Sequence, residues 1–306
     1  MKLSLSQRIY NAQCIGNIEP IEYMIPYPSM RSLIEGQNIK YGNQILIKKN
    51  NITNLKYYEL IQQTANWLSH QNLEPKQRLI LPKLNSPQSE ILLYGIWNIG
   101  ATAVLSKNSI PEKDKKKLNI KKIKINKNLF TEIKSFPKKF YTKHKPLLNE
   151  EALITFEKGI GIKLSHYNLL VNTNGLAKLI NQKGRIRYSC TIDFYSSGWV
   201  IFNAILPIYN GYIIDDKNPE LTIANSNANF NIRYDINNLE EYKNNDIAML
   251  TENSGIISIG KNPIHLTKFL KKQNLIQIKG HSIMMGYLNQ KMNETSFKND
   301  FLIIPI

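Results

Sequence analysis

The stretch ALITFEKGIGIKLSHYNLL, residues 152 to 170, gathers the residue types that an anion site needs. Gly159 and Gly161 lie between a short apolar, β-leaning run, Ala152 to Phe156, and Ser165, a hydroxyl residue placed to open a helix. A strand feeding a glycine loop that opens a helix can wrap backbone N–H groups around a phosphate, because those donors and the helix dipole both point at the anion. Lys158 and Lys163 add positive charge, but Glu157 opposes it. Like charges a few ångströms apart cost on the order of 1 kcal/mol even under screening. Two glycines beside a bulky Phe156 favour a tightened β-turn that exposes its lysines over a phosphate cradle.

The other reactive residue types form no constellation. His70, His144, His166, His265 and His281 lack metal-ligand spacing. Cys14 and Cys190 are too far apart in sequence to suggest a disulfide framework or a metal site. Ser196-Ser197-Gly198 lacks the flanking glycines of a nucleophile elbow.

Elements that would carry these residues alternate along the chain. Residues 1–28 end in YMIPYP, whose two prolines predict an irregular arm. Ser29 to Gly42 has a capping serine, apolar positions at helical spacing and a terminal glycine. QILIKK reads as a strand, and TNLKYYELIQQTANWLSHQN as a helix with Leu55, Tyr58, Leu60, Ile61, Ala65 and Leu68 on its apolar face. QRLILPKL and ATAVLS read as buried strands on either side of a helix in NSPQSEILLYGIWNIG. Strands alternating with helices of this length predict a parallel α/β sheet.

The net charge of +17 is local: residues 113–145 hold thirteen lysines against Asp114 and Glu132, eleven of the excess charges. Ile and Leu recur between those lysines, as a solvated face over a packed one requires. A docking surface for an acidic partner, such as a carrier protein or a biosynthetic synthase, is the sharper reading. No aromatic RNA-binding motif or zinc-knuckle spacing accompanies the stretch, so nucleic acid is not expected. The N-terminus lacks the apolar centre of a secretory signal, and no apolar run reaches the roughly 18 residues of a membrane span. A cytoplasmic protein is the expectation.

The block ITNLKYYELIQQTANWLSHQNLEPKQRLILPKLNSPQSEILLYGIWNIGATAVLSKNSIPE resembles the opening of the adenylate-forming superfamily of acyl-CoA synthetases, nonribosomal adenylation domains and luciferases. Asn85-Ser86-Pro87 and Gly100-Ala101 stand at the family's strand end and helix end. Gly161-Ile162-Lys163-Leu164-Ser165-His166 matches the tail of its phosphate-loop signature. TIDFYSSGWVIFNAILPIYNGYII is similar to the segment lining the acyl pocket, with Tyr195 at its aromatic position and Gly198 at its glycine. In AMLTENSG, Thr251 and Glu252 remain of a Tyr-Gly-x-Thr-Glu motif, and IKGHSIMMGYLNQKMNETSF matches a later Gly-Tyr stretch. The resemblance covers about residues 29 to 306.

It implies an α/β fold of two stacked α/β subdomains, 29–150 (with the basic segment 113–145) and a shortened 151–250, followed by a small β-rich piece, 251–306. It also implies where ATP and magnesium would bind if the ancestral site survives: Gly159, Gly161 and Lys163 at the phosphates, Thr251 and Glu252 at ATP and Mg, with Glu252 the metal ligand. Tyr195 and Gly198 would line the substrate pocket. Several positions depart from the pattern. Only six residues, Thr155 to Ile160, separate Ile154 from Gly161, too few for the family loop. Residues 215–246 are Asn-rich and read as loops with one strand, and Ala248-Met249 replaces the Tyr-Gly pair whose tyrosine stacks on adenine. The chain reads NDFLIIPI and stops where the ribose-binding aspartate is due, so the C-terminal subdomain with its lysine is expected to be absent. A degenerate AMP-binding protein is therefore expected, a pseudoenzyme acting as an acyl-binding or accessory protein. The alternative is one half of an ATP-dependent adenylating ligase that needs a separate C-terminal subdomain.

Overall fold

The computed structural model describes residues 3–110, 112–126, 128–182 and 184–306, with no account of the side chains of 112–114. A six-stranded sheet forms the first layer, in the order Gly286–Tyr287, Ile160–Ser165, Glu151–Glu157, Thr102–Ser106, Arg78–Ile80, Ile120–Lys121. The last four strands are parallel, and Ile160–Ser165 pairs antiparallel with both of its neighbours. Residues 102–105 of Thr102–Ser106 and 152–155 of Glu151–Glu157 are all buried. Their unbroken apolar runs fit strands covered on both faces by helices.

A nine-stranded sheet forms the second layer. Its parallel centre runs Asp246–Leu250, Phe230–Arg233, Leu221–Ala224, Arg187–Cys190, Ile213–Ile214, Ile45–Ile47. Two of these strands, Leu221–Ala224 and Phe230–Arg233, fall in the stretch 215–246 that the sequence presents as loops with one strand. They are four residues long, and polar residues interrupt them. A third sheet, antiparallel, orders Thr267–Lys272, Leu275–Gly280, Phe301–Pro305 and Phe297–Lys298. The C-terminal piece is thus β-rich as expected, but Gly255–Ile259 and Asn262–Pro263 join the nine-stranded sheet instead.

The two large layers meet on the helix Gln88–Ile99, eleven of whose twelve residues are buried. Tyr94 Oη donates to the Ala204 carbonyl (3.1 Å) in the helical run 197–210, and Trp97 Nε1 donates to the Ala152 carbonyl (2.9 Å). The helix Asn54–His70 packs against it through Tyr57, Leu60, Ile61, Ala65 and Leu68, while Leu55 stays at the surface. Gly95 makes that approach feasible, since a Cβ there would stand 2.5 Å from Thr64 Cγ2.

The N-terminal arm is not irregular throughout. Leu5–Gln13 is a helix whose cap, Ser4, accepts from the Gln7 amide. Arg8 donates to the carbonyls of Glu294 and Phe297, and Asn11 to Asp300, so tertiary contacts outweigh a short, weakly apolar sequence. In the basic segment, Leu129, Ile133 and Phe140 face the core, whereas Lys116, Lys117, Lys122, Lys124, Lys134, Lys138 and Lys139 are exposed. No helix among the described residues is long and apolar enough to cross a membrane.

Candidate functional site

The residues singled out in 152–170 fold as a hairpin. Glu151–Glu157 pairs antiparallel with Ile160–Ser165, closing with Glu157 opposite Ile160. The two-residue turn between them, Lys158 (φ 48°) and Gly159 (φ 82°), has both residues in the left-handed region that tight hairpins favour. Gly161 lies within the second strand, where a Cβ would meet Leu288 Cδ1 at 2.3 Å, and its carbonyl accepts from the Leu288 amide. Lys163 sits two residues farther along, its carbonyl accepting from the Met285 amide. The chain then turns directly into the helix His166–Ile180, where Ser165 and Asn168 form a reciprocal capping box. The expected strand and helix start are both present, and a second strand replaces the loop between them.

Residues just past the carboxyl ends of the parallel strands line a crevice between the two large sheets, the usual ligand position in open α/β folds. One part, about 550 Å³, is lined by Ser106 to Asn108, Phe156 to Gly159, Asp193, Tyr195 and Tyr234. The adjoining part, about 360 Å³, is lined by Gly198, Met249, Thr251, Glu252 and Asp235. Glu157, Lys158, Ser196 and Tyr234 border both. The structure thus brings Gly159, Tyr195, Gly198, Thr251 and Glu252 to one crevice, and leaves Gly161 and Lys163 outside its lining.

Within it, the Thr251 hydroxyl donates to Glu157 Oε1. Tyr287 Oη donates to Glu252 Oε1 at 3.1 Å. Burial pushes the Glu252 carboxyl above the usual carboxylate range, and the nearby Glu157 charge pushes it the same way. Met249 Cε and Ile192 Cδ1 would lie 2.5 and 2.8 Å from a Cβ at Gly198, so their side chains fill the space over that glycine. Among the described residues no three His, Cys, Asp or Glu side chains are grouped to hold a metal ion. Tyr234, 55% exposed at the end of Phe230–Arg233, and Tyr287 escaped sequence reasoning. Tyr287 had one signal, its place in the Gly-Tyr pair. Tyr234 sits in the Asn-rich stretch and had none.

No protein-family model and no curated protein sequence matches the chain. Solved structures do match it. The anthranilate-CoA ligase AuaEII, solved with anthranoyl-AMP, superposes with a TM-score of 0.71 at 12% identity, over 92% of this chain and 74% of that one. The fold is that of the adenylate-forming superfamily. The N-terminal subdomain of NpsA from Klebsiella oxytoca matches with the same TM-score and identity, over 92% of this chain and 96% of that subdomain. The o-succinylbenzoate-CoA synthetase of Bacillus subtilis, in complex with its acyl-adenylate intermediate, gives 0.68 at 12% identity, over 88% and 93%. The adenylate-forming fold therefore accounts for both α/β layers.

Proposed function

We propose that this chain has the adenylate-forming fold without the adenylating reaction, and acts as an acyl- or aryl-binding or accessory protein. The observation that carries this reading is the hydrogen bond from Thr251 to Glu157 beside a closed two-residue turn. Adenylation rests on donors and a cation arranged around phosphates. Here an internal carboxylate takes the hydroxyl donor, and the strands on either side of the turn pair with each other. The acid count argues the same way: Glu157 and Glu252 adjoin, neither makes an ion pair among the described residues, and Glu252 already accepts from Tyr287. This donor set does not fit a magnesium-bound triphosphate. What remains is a crevice of about 550 Å³ walled by Phe156, Tyr195 and Tyr234, suited to a small ring or acyl chain.

Thermal unfolding with Mg-ATP, AMP and a panel of acyl-adenylate mimics tests the proposal. A ligand at about 100 times its Kd stabilises the folded state by roughly 2.7 kcal/mol. The expected result is no shift with Mg-ATP and a shift with at least one acyl or aryl compound. Stabilisation by Mg-ATP, or carboxylate-dependent pyrophosphate release on adding a separate C-terminal subdomain, would favour the ligase-half reading instead. The exposed lysines of 113–145 supply a surface for an acidic carrier protein. Binding insensitive to salt, or to charge reversal at Lys116, Lys117 and Lys122, would remove that part of the proposal.

A further inference from the structure

A second cavity, of about 400 Å³, lies between the N-terminal end of the helix Gln88–Ile99 and the end of the strand Arg187–Cys190. Two of its walls carry unsatisfied acceptors. Glu90 is 5% exposed; its Oε1 accepts from Ser86 Oγ (3.0 Å), and its Oε2 has no partner. Asn203 donates through Nδ2 to the Cys190 carbonyl (3.3 Å), which fixes the amide and leaves Oδ1 also without a partner. Buried acceptors normally find a donor, so two orphans on one cavity mark the place of a missing donor. Toward the rim stand Asp193 and Asp216, the latter accepting from Ser189 Oγ (2.8 Å). Among the described residues, Lys83 is the one basic side chain lining the cavity, and it makes no ion pair there.

We propose that this cavity is a binding site for a small organic cation bearing a primary ammonium group, which donates to Glu90 Oε2 and Asn203 Oδ1. Three carboxyl groups against one lysine give the cavity the sign for a cation, and an ammonium supplies up to three donors for the orphaned oxygens. Burial pushes the Glu90 carboxyl up to about 7, the cost that a bound cation would offset. A diamine fits better than a monoamine, with one end at Glu90 and the other at Asp193 or Asp216. Asp193 lines both this cavity and the crevice, but Glu90, Asn203 and Asp216 lie outside the crevice lining, so the contact at Glu90 stands whether or not the crevice binds an acyl group.

Calorimetric titration of the full chain with putrescine, butylamine and butanediol decides the matter. The expected result is saturable one-to-one binding of putrescine, weaker binding of butylamine, and none of the uncharged diol. Glu90→Gln should weaken putrescine by about tenfold or more, the loss of a charge-assisted contact. Asn203→Leu, at the opposite wall, should weaken it too, while far-ultraviolet circular dichroism confirms that both variants are folded. Lys83→Met should leave binding intact or tighten it. Absence of saturable putrescine binding would overturn the proposal. So would unchanged affinity in folded Glu90→Gln, which would assign the binding to surface charge.

Discussion

Replacing Glu90 with glutamine isolates the cost of one buried carboxyl. The side chain is 5% exposed, and burial raises its carboxyl to about 7 from an ordinary value near 4.5. The unfolded chain releases this proton near pH 4.5, whereas the folded chain holds it to about pH 7. Between those values the folded state binds more protons, so stability falls as pH rises through that window and stays low above it. At about 1.36 kcal/mol per pKa unit, the full penalty above pH 7 is roughly 3 kcal/mol. Between pH 5 and pH 8 the carboxyl alone costs about 2.5 kcal/mol. Glutamine keeps the acceptor for Ser86 and carries no charge at either pH. Urea denaturation of both proteins should therefore show Glu90→Gln gaining about 2.5 kcal/mol on the wild type when moved from pH 5 to pH 8. An equal difference at the two pH values would refute the reasoning, because it would mean that Glu90 titrates alike in the folded and unfolded chains.

His166 should act in the opposite sense. Its ring is buried with Nδ1 unpartnered, and burial lowers its pKa from 6.5 to about 4, so stability is lost as pH falls below about 6.5. His166→Phe should abolish about 2 kcal/mol of that loss between pH 8 and pH 5, read from the same denaturation curves. Tyr94→Phe removes the donor to the buried Ala204 carbonyl and should cost about 1–2 kcal/mol without changing the far-ultraviolet spectrum. Gly280→Ala should cost on the order of 3 kcal/mol, because φ there is 154° and a Cβ would stand 2.3 Å from the Leu266 carbonyl oxygen. A neutral Gly280→Ala, measured by urea midpoint, would contradict that contact.

The fold was legible wherever apolar pattern and punctuation agreed. Ser29 and Gly42 bound the helix Met30–Tyr41, Gly100 ends Gln88–Ile99 in the left-handed region, and Ser165 caps His166–Ile180 as the spacing predicts. Reading failed where tertiary contacts decide the local state. Among asparagines, Leu221–Ala224 alternates burial over only four residues and Phe230–Arg233 buries a single one of four, too short a pattern to count. The helix Leu5–Gln13 is held by the third sheet, a partner that nothing in its own residues announces. At the crevice, glycine count and loop length exposed the tightened turn at Lys158-Gly159. The bond from Thr251 to Glu157 joins residues 94 positions apart, which spacing along the chain cannot reveal.

The helix Gln88–Ile99 also has a consequence for how the molecule comes apart. It is buried on every side, and its Tyr94 and Trp97 donate to residues of different layers. Neither large layer can open without exposing this helix, so the two layers should open together as one cooperative unit. Amide hydrogen exchange should then find the slowest amides of both layers in a single class, with no cut in a connecting loop releasing a separately folded half. A fragment that omits residues 88–99 should be unable to fold on its own.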